Sequence, residues 1–359
     1  MKLTRNKRGA SKLLITLLLL LFLAIGAILS YMWVMGWYLT LQIRVPEKTA
    51  LSIENVSFNP EDTSFLNVTV LNPSFSGSDY ATITEFWVLT EDGAAHKAVT
   101  YPPLPYRLPA AENKTFTLYW NWGNYSGQTI NVMAFVTEGS GATFKALTPL
   151  VKLYVKVNFD PSISVNYFNM SVHNSENSAI DVKIKDITIN GVSAQSYTLT
   201  SEGKPLSLPF TLHRNETVSI TCSWNWTEYQ GKNVTIAVRT SQGYIASRIK
   251  TLPPPVILNI TDVTFIKVDG AYFNVTIQNS EESPTYVNIT RITITMDNGT
   301  VREITKVSPK LTPPYAIYPG SSETFICVWN WHEYRGREVT ITVYTLQGFV
   351  IRISRVMPS

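Results

Sequence analysis

The frame Trp-Asn-Trp-x-x-Tyr-x-Gly occurs three times in this chain. WNWGNYSG begins at Trp120, WNWTEYQG at Trp224 and WNWHEYRG at Trp329, at spacings of 104 and 105 residues. A period of that length means three copies of one structural unit, and it constrains the fold more than any single residue does. The flanking text keeps the same register. FLNVTVLN at 65–72, YFNMSVHN at 167–174 and YFNVTIQN at 272–279 correspond, at spacings of 102 and 105 residues. After each frame glycine, apolar residues alternate: Ile130, Val132, Ala134 and Val136; then Val234, Ile236 and Val238; then Val339, Ile341 and Val343. Period two marks half-buried strands. A turn ending at Gly139, Gly243 or Gly348 leads to a last strand, and no stretch beyond residue 45 has a helical period. Short strands and regular turns in a unit of roughly 100 residues are the pattern of an immunoglobulin-like sandwich. The expected fold is all-β: three tandem immunoglobulin-like β-sandwiches preceded by one N-terminal transmembrane helix.

That helix is read from residues 13–39, where only Thr16, Ser30 and Tyr31 interrupt an apolar run. Crossing a bilayer takes about 20 such residues. Trp33, Trp37 and Tyr38 stand at its outer end, where an aromatic belt belongs. Lys2, Arg5, Lys7, Arg8 and Lys12 precede it, and no acid occurs before Glu47. Positive flanks stay inside, so a single-pass cell-membrane protein with its N-terminus inside and its C-terminal domains extracellular is expected. A cleaved signal peptide has a shorter apolar core, of about 7–15 residues, so retention of the segment is the expectation. The chain then divides into a basic cytoplasmic leader (1–12), the membrane or pilin-like helix (13–39) and sandwiches at 46–150, 151–254 and 255–359. The run Pro253-Pro254-Pro255 favours a semi-rigid joint.

Within the frame, residues i and i+2 of a strand share a face. Phe116, Leu118, Trp120 and Trp122 therefore point one way, as do Cys222, Trp224 and Trp226, and Cys327, Trp329 and Trp331. A continuous apolar face belongs in a sandwich core. The alternative is an exposed tryptophan platform for sugar rings. Tyr125, Tyr229 and Tyr334 are placed to tie down a corner through their hydroxyls, and the glycine two residues on supplies a turn conformation. Cys222 and Cys327 hold the same position in two different copies, with Leu118 in the first. Two residues in separate cores cannot be bridged, so free buried thiols are expected.

Charged residues make up 16% of the 359, against about 25% in an average soluble protein. The net charge of +4 arises in the leader, whose +5 leaves the remainder at −1. No basic face for nucleic acid exists. His96, His173, His213 and His332 are scattered without metal-ligand spacing, and no nucleophile elbow or phosphate loop occurs. Asp79, Glu176, Asp181, Glu281 and Glu282 gather near the ends of second strands. They read as solvated loop charge, with calcium as the alternative. No enzyme activity and no cofactor are expected. Twelve Asn-x-Ser/Thr sequons follow the helix, at Asn55, Asn67, Asn113, Asn124, Asn169, Asn215, Asn225, Asn233, Asn259, Asn274, Asn288 and Asn298. They read either as N-glycosylation sites or as the ordinary text of exposed strand faces.

Residues 7–37, KRGASKLLITLLLLLFLAIGAILSYMWVMGW, resemble the N-terminus of archaeal type IV pilins and archaellins. The resemblance implies cleavage between Gly9 and Ala10 by a prepilin-type peptidase, with the helix anchoring the protein or packing in a filament core. Leu14 stands where bacterial-style pilins carry a glutamate. The three repeats resemble CARDB-like immunoglobulin-like modules, through the Pro319-Gly320-Ser321 turn, the T-x-x-x-W strand and the G-x-x-[IV]-x-[IV]-x-V strand. That likeness implies a fold and an extracellular setting. The expected function is a non-catalytic, membrane-anchored archaeal surface protein acting as a stalk or adhesive contact module. The alternatives are a pilus-like filament subunit and a glycan-binding module. The partners implied are membrane lipid, other surface proteins or glycans, and self-assembly.

Overall fold

The computed structural model describes residues 7–43, 51–73, 79–137, 141–266 and 271–359. Gly139, Lys2 and Arg5 lie outside them. One helix, Lys7–Ile43, opens the chain and is longer than the apolar run that announces it. Its extra residues include Lys7, Arg8 and Lys12, which are good helix formers with no core to satisfy. The apolar stretch Leu14–Trp33 covers 20 residues at a mean hydropathy of 2.6, and its side chains are exposed. A helix apolar on every side is built to be surrounded by hydrocarbon or by other helices. At about 1.5 Å per residue, 20 residues span about 30 Å, a typical hydrocarbon thickness.

Everything after the helix is strand, apart from turns and short 3₁₀ segments. Six sheets form tandem immunoglobulin-like domains, two sheets to each repeat. In the first repeat one sheet has the order Ser52–Phe58, Phe65–Leu71, Asn113–Tyr119, Val99–Tyr101. The facing sheet has the order Ala95–Lys97, Tyr80–Leu89, Thr129–Val136, Ala142–Leu147. This is the constant-type immunoglobulin arrangement with one added edge strand. The second and third repeats have the same order. Even the irregularities recur. The long central strand shifts register between Ile83 and Glu85, between Ile184 and Asp186, and between Ile289 and Arg291. A bulge in the same place in three copies is an inherited device for bending that strand.

The residues group into two compact units. The first holds the residues up to Ser57, Leu66–Tyr119 and Thr129–Ala146. The second holds Phe58–Phe65, Trp120–Gln128 and Leu147–Ser359. In the first unit the core is Leu66, Val68 and Val70 from one sheet against Ile83, Phe86, Val88, Val132 and Ala134 from the other, all essentially inaccessible. In the second unit Met170 and Val172 face Ile184, Ile187, Ile236 and Val238, and Val275 and Ile277 face Ile292, Ile294, Ile341 and Val343. Each such side chain contributes about 1.5–3 kcal/mol on burial.

Candidate functional site

The repeated frame is a corner, and every position in it has a job. The strand before it ends at Tyr119, Cys222 or Val328, so Trp-Asn-Trp lies beyond the sheet. Period two no longer governs there. The second tryptophan is nevertheless the deepest residue of the frame: Trp122 and Trp226 are wholly inaccessible and Trp331 is 1% exposed. Each indole Nε1–H donates to a backbone carbonyl of the second strand or its threshold, at Phe65 (2.8 Å), Tyr167 (3.1 Å) or Tyr272 (3.1 Å). Each ring also meets a phenylalanine edge to face. Phe58 lies 5.2 Å from Trp122, Phe159 5.5 Å from Trp226 and Phe265 5.4 Å from Trp331. A buried tryptophan needs a polar partner as well as apolar area, and both are supplied here.

The asparagine starts the corner. Asn121 Oδ1 accepts from the Gly123 amide, Asn225 Oδ1 from Thr227 and Asn330 Oδ1 from His332. Such side-chain-to-backbone bonds two residues on are what asparagine does in turns. A single 3₁₀ turn follows, Gly123–Tyr125, Thr227–Tyr229 or His332–Tyr334. The tyrosine closes it through its backbone, its N–H donating to the second tryptophan's carbonyl at 2.9, 3.0 and 2.9 Å. Its ring stacks on the first tryptophan at 5.2, 4.9 and 5.5 Å. That first tryptophan is buried as Trp224 and Trp329 but half-buried as Trp120. The corner is therefore fastened by ring stacking and main-chain bonds. The glycine has φ of +74, +71 and +72° at Gly127, Gly231 and Gly336, a region that a side chain enters only under strain. Its N–H donates to Pro149, Pro253 or Met357, tying the corner to the end of its own repeat.

A second repeated fastening carries no mark in the frame. Asn72, Asn174 and Asn279 end the second strands and are fully buried. Asn174 Nδ2 donates to Leu212 and Ile180 carbonyls, each at 3.2 Å. Asn279 Nδ2 does the same to Ile317 (3.1 Å) and Thr285 (3.0 Å), and Asn72 Nδ2 bonds Leu108 at 2.9 Å. The signal available in the sequence was the recurrence of asparagine at the end of three aligned strands. It reads there as one more polar residue on an alternating pattern.

Nine of the sequon asparagines are exposed; Asn67, Asn274 and Asn288 are half-buried. Several have their amides engaged. Asn67 accepts from Thr117, Asn169 from Thr221 and Asn233 from Thr251. Asn225, inside the frame, also donates to Asn166. Gly9 and Ala10 lie within the N-terminal helix.

Cys222 and Cys327 are free and buried, and burial pushes both thiols up to about 12. At neutral pH neither supplies a thiolate nucleophile. The clearest ionic contact is on the surface, where His213 Nδ1 lies 2.8 Å from Asp181 Oδ2 and the Arg214 amide bonds Asp181 Oδ1. The bond to Asp181 raises the His213 pKa, and the same bond lowers that of Asp181. No cluster of three His, Cys, Asp or Glu residues suited to a metal ion occurs among the described residues.

No family model and no curated protein matches the chain. Solved structures share its fold type at low similarity. A tetra-tandem repeat from the extending region of a large adhesion protein is 14% identical, over 85% of this chain and 72% of that one, with a TM-score of 0.21. A stretch of titin domains is 8% identical over 87% and 100%, with a TM-score of 0.21. The adhesin InvE of Yersinia pseudotuberculosis is 13% identical over 60% and 66%, with a TM-score of 0.21. Likenesses of this size carry nothing about ligand or partner.

Proposed function

We propose that the protein is a membrane-anchored, non-catalytic cell-surface stalk or contact module. A single N-terminal helix holds it in the lipid, and tandem sandwiches project to meet other surface proteins or glycans. The observation that carries this reading is Leu14–Trp33, a helix of 20 residues whose side chains are exposed and whose mean hydropathy is 2.6. No side chain of the sandwiches answers that surface by sequence, so bilayer or neighbouring helices are the natural partners. The repeat chemistry agrees with a scaffold. The most distinctive residues of each copy are spent on corners, and their two thiols are inert. The pilin-like leader and the CARDB-like repeat pattern place such a stalk on an archaeal surface. The exposed sequons then make it a glycoprotein, with Asn55, Asn113, Asn124 and Asn298 among the accessible acceptors.

The N-terminal residue of the protein from native membranes tests this, by mass spectrometry of its N-terminal peptide. A start at Met1 or Lys2 is the outcome expected of a simple anchor. A start at Ala10 would move the protein to the filament-subunit reading, in which the helix packs against copies of itself. A start beyond Ala27 would mean a removed signal sequence and would overturn the anchored stalk.

A further inference from the structure

The turn between the last two strands of a repeat carries Gln242-Gly243-Tyr244 in the second copy and Gln347-Gly348-Phe349 in the third. Both turns sit within the second compact unit, and both are buried in unusual ways for a hairpin tip. Gln347 is wholly inaccessible and Phe349 is 6% exposed; Gln242 is 9% exposed and Tyr244 2%. Hairpin tips are ordinarily exposed and polar.

The burial is against the preceding repeat. The Val165 amide donates to the Gln347 carbonyl at 2.8 Å, and Gln347 Nε2 donates to the Ser162 carbonyl at 3.3 Å. Gln347 Oε1 accepts from Asn288 of its own repeat at 3.0 Å, which locks the side chain from behind. Gly348 has φ of +95°, and a Cβ there would overlap the Asn166 side chain. The other turn repeats the pattern. The Thr63 amide donates to the Gln242 carbonyl (2.9 Å), Gln242 Nε2 reaches Glu61 (3.2 Å), and Lys183 N–H bonds Gln242 Oε1 (3.1 Å). Gly243 has φ of +101° and lies against Thr63, while Tyr244 Oη donates to the Pro60 carbonyl at 3.0 Å. The Tyr244 ring also stands edge-on to Trp122, 5.9 Å away. These two turns share glutamine for its opposed donor and acceptor, glycine for close backbone approach, and an aromatic for the seat. At the matching place in the first copy the sequence reads Glu138-Gly139-Ser140, without an aromatic.

We propose that Gln-Gly-aromatic is a docking element, and that its partner is the corner of the preceding sandwich. The second and third sandwiches are thereby held at one fixed angle and move as a single body. This goes beyond a surface role, because a chain joined only by a linker lets its domains swing. It makes the contact, rather than Pro253-Pro254-Pro255, the source of stiffness.

The test is a pulsed electron–electron distance measurement on the full chain in detergent. Spin labels go on Lys204→Cys in the second sandwich and Arg302→Cys in the third, both exposed; the native thiols are buried. A control pair, Lys204→Cys with Arg239→Cys, reads the width that labels give within one sandwich. The docked joint predicts a single distance as narrow as the control, and loss of that narrow peak in Phe349→Ala. Gln347→Ala removes both side-chain bonds with less disturbance of the fold, and is expected to broaden the distribution too. A wild-type distribution much broader than the control overturns the proposal with no variant needed. So does a peak that stays narrow in both variants.

Discussion

The frame corners and the loop that carries His213 illustrate two kinds of polar contact in one chain. At the corner, Trp226 is inaccessible, its indole N–H is bonded and Phe159 closes over its ring. On the loop, His213 and Asp181 make a shorter contact, 2.8 Å, yet both are largely in water. The shorter bond is the weaker contributor. Water competes for both loop partners and salt screens them, whereas nothing competes at the corner. The corner recurs three times and the loop pair once, so recurrence here tracks energetic consequence.

The comparison can be broken most severely at the corner. Trp331→Ala removes a buried indole and leaves a cavity, at a cost of about 3–5 kcal/mol. It should lower the denaturant midpoint for the third sandwich, followed by hydrogen exchange in peptides from 258–356, while the first unit's core is unchanged. A loss below about 1 kcal/mol would mean the corner is not a structural lock. Close in size is a chemical contrast. With Cys222 and Cys327 pushed up to about 12, a thiol reagent at pH 8 should label the folded chain about a thousandfold more slowly than the unfolded chain. Equal rates would show that the sandwiches open readily. Asn174→Ala leaves the Leu212 and Ile180 carbonyls without their donor, and should cost about 1–3 kcal/mol in the second sandwich, read by the same exchange experiment.

The loop pair sharpens the other side. His213 is raised by Asp181, so its ion pair contributes below the ordinary histidine value and is lost as pH climbs through the raised one. Asp181 is lowered, so its share is present above the ordinary aspartate value and is lost as pH falls through the depressed one. The window between those two titrations is where the pair exists. Asp181→Asn should return the His213 titration, followed by NMR, toward its usual value of about 6.5. The same variant should leave the melting temperature unmoved.

Much of the fold was legible because it is written in triplicate. Alternation in Val234, Ile236 and Val238 and its counterparts marks real strands, and the 104- and 105-residue spacings mark real copies. The corner was legible only in part. Alternation carried past Tyr119 puts Trp120 and Trp122 on one buried face, but the strand has ended there and Trp120 is half-buried. The turn begun by Asn121 depends on a side chain reaching its neighbour's amide, which no periodicity reports. The hydroxyl assigned to the tyrosine gave way to its ring, because the first tryptophan offers a flat partner 4.9 Å away in the second copy. Asn174 and the Gln347 turn were invisible for a related reason. Their partners are main-chain carbonyls and amides from distant segments, and a sequence names side chains only.

The central claim is that these tryptophans are architecture and not a binding platform. Hydroxyl-radical footprinting of the native full chain, read by mass spectrometry residue by residue, tests it most directly. The account predicts that Trp226 and Trp331 stay unmodified while Tyr318, 62% exposed, is oxidised. Oxidation of Trp226 and Trp331 as fast as Tyr318 would contradict it and return the frame to the surface.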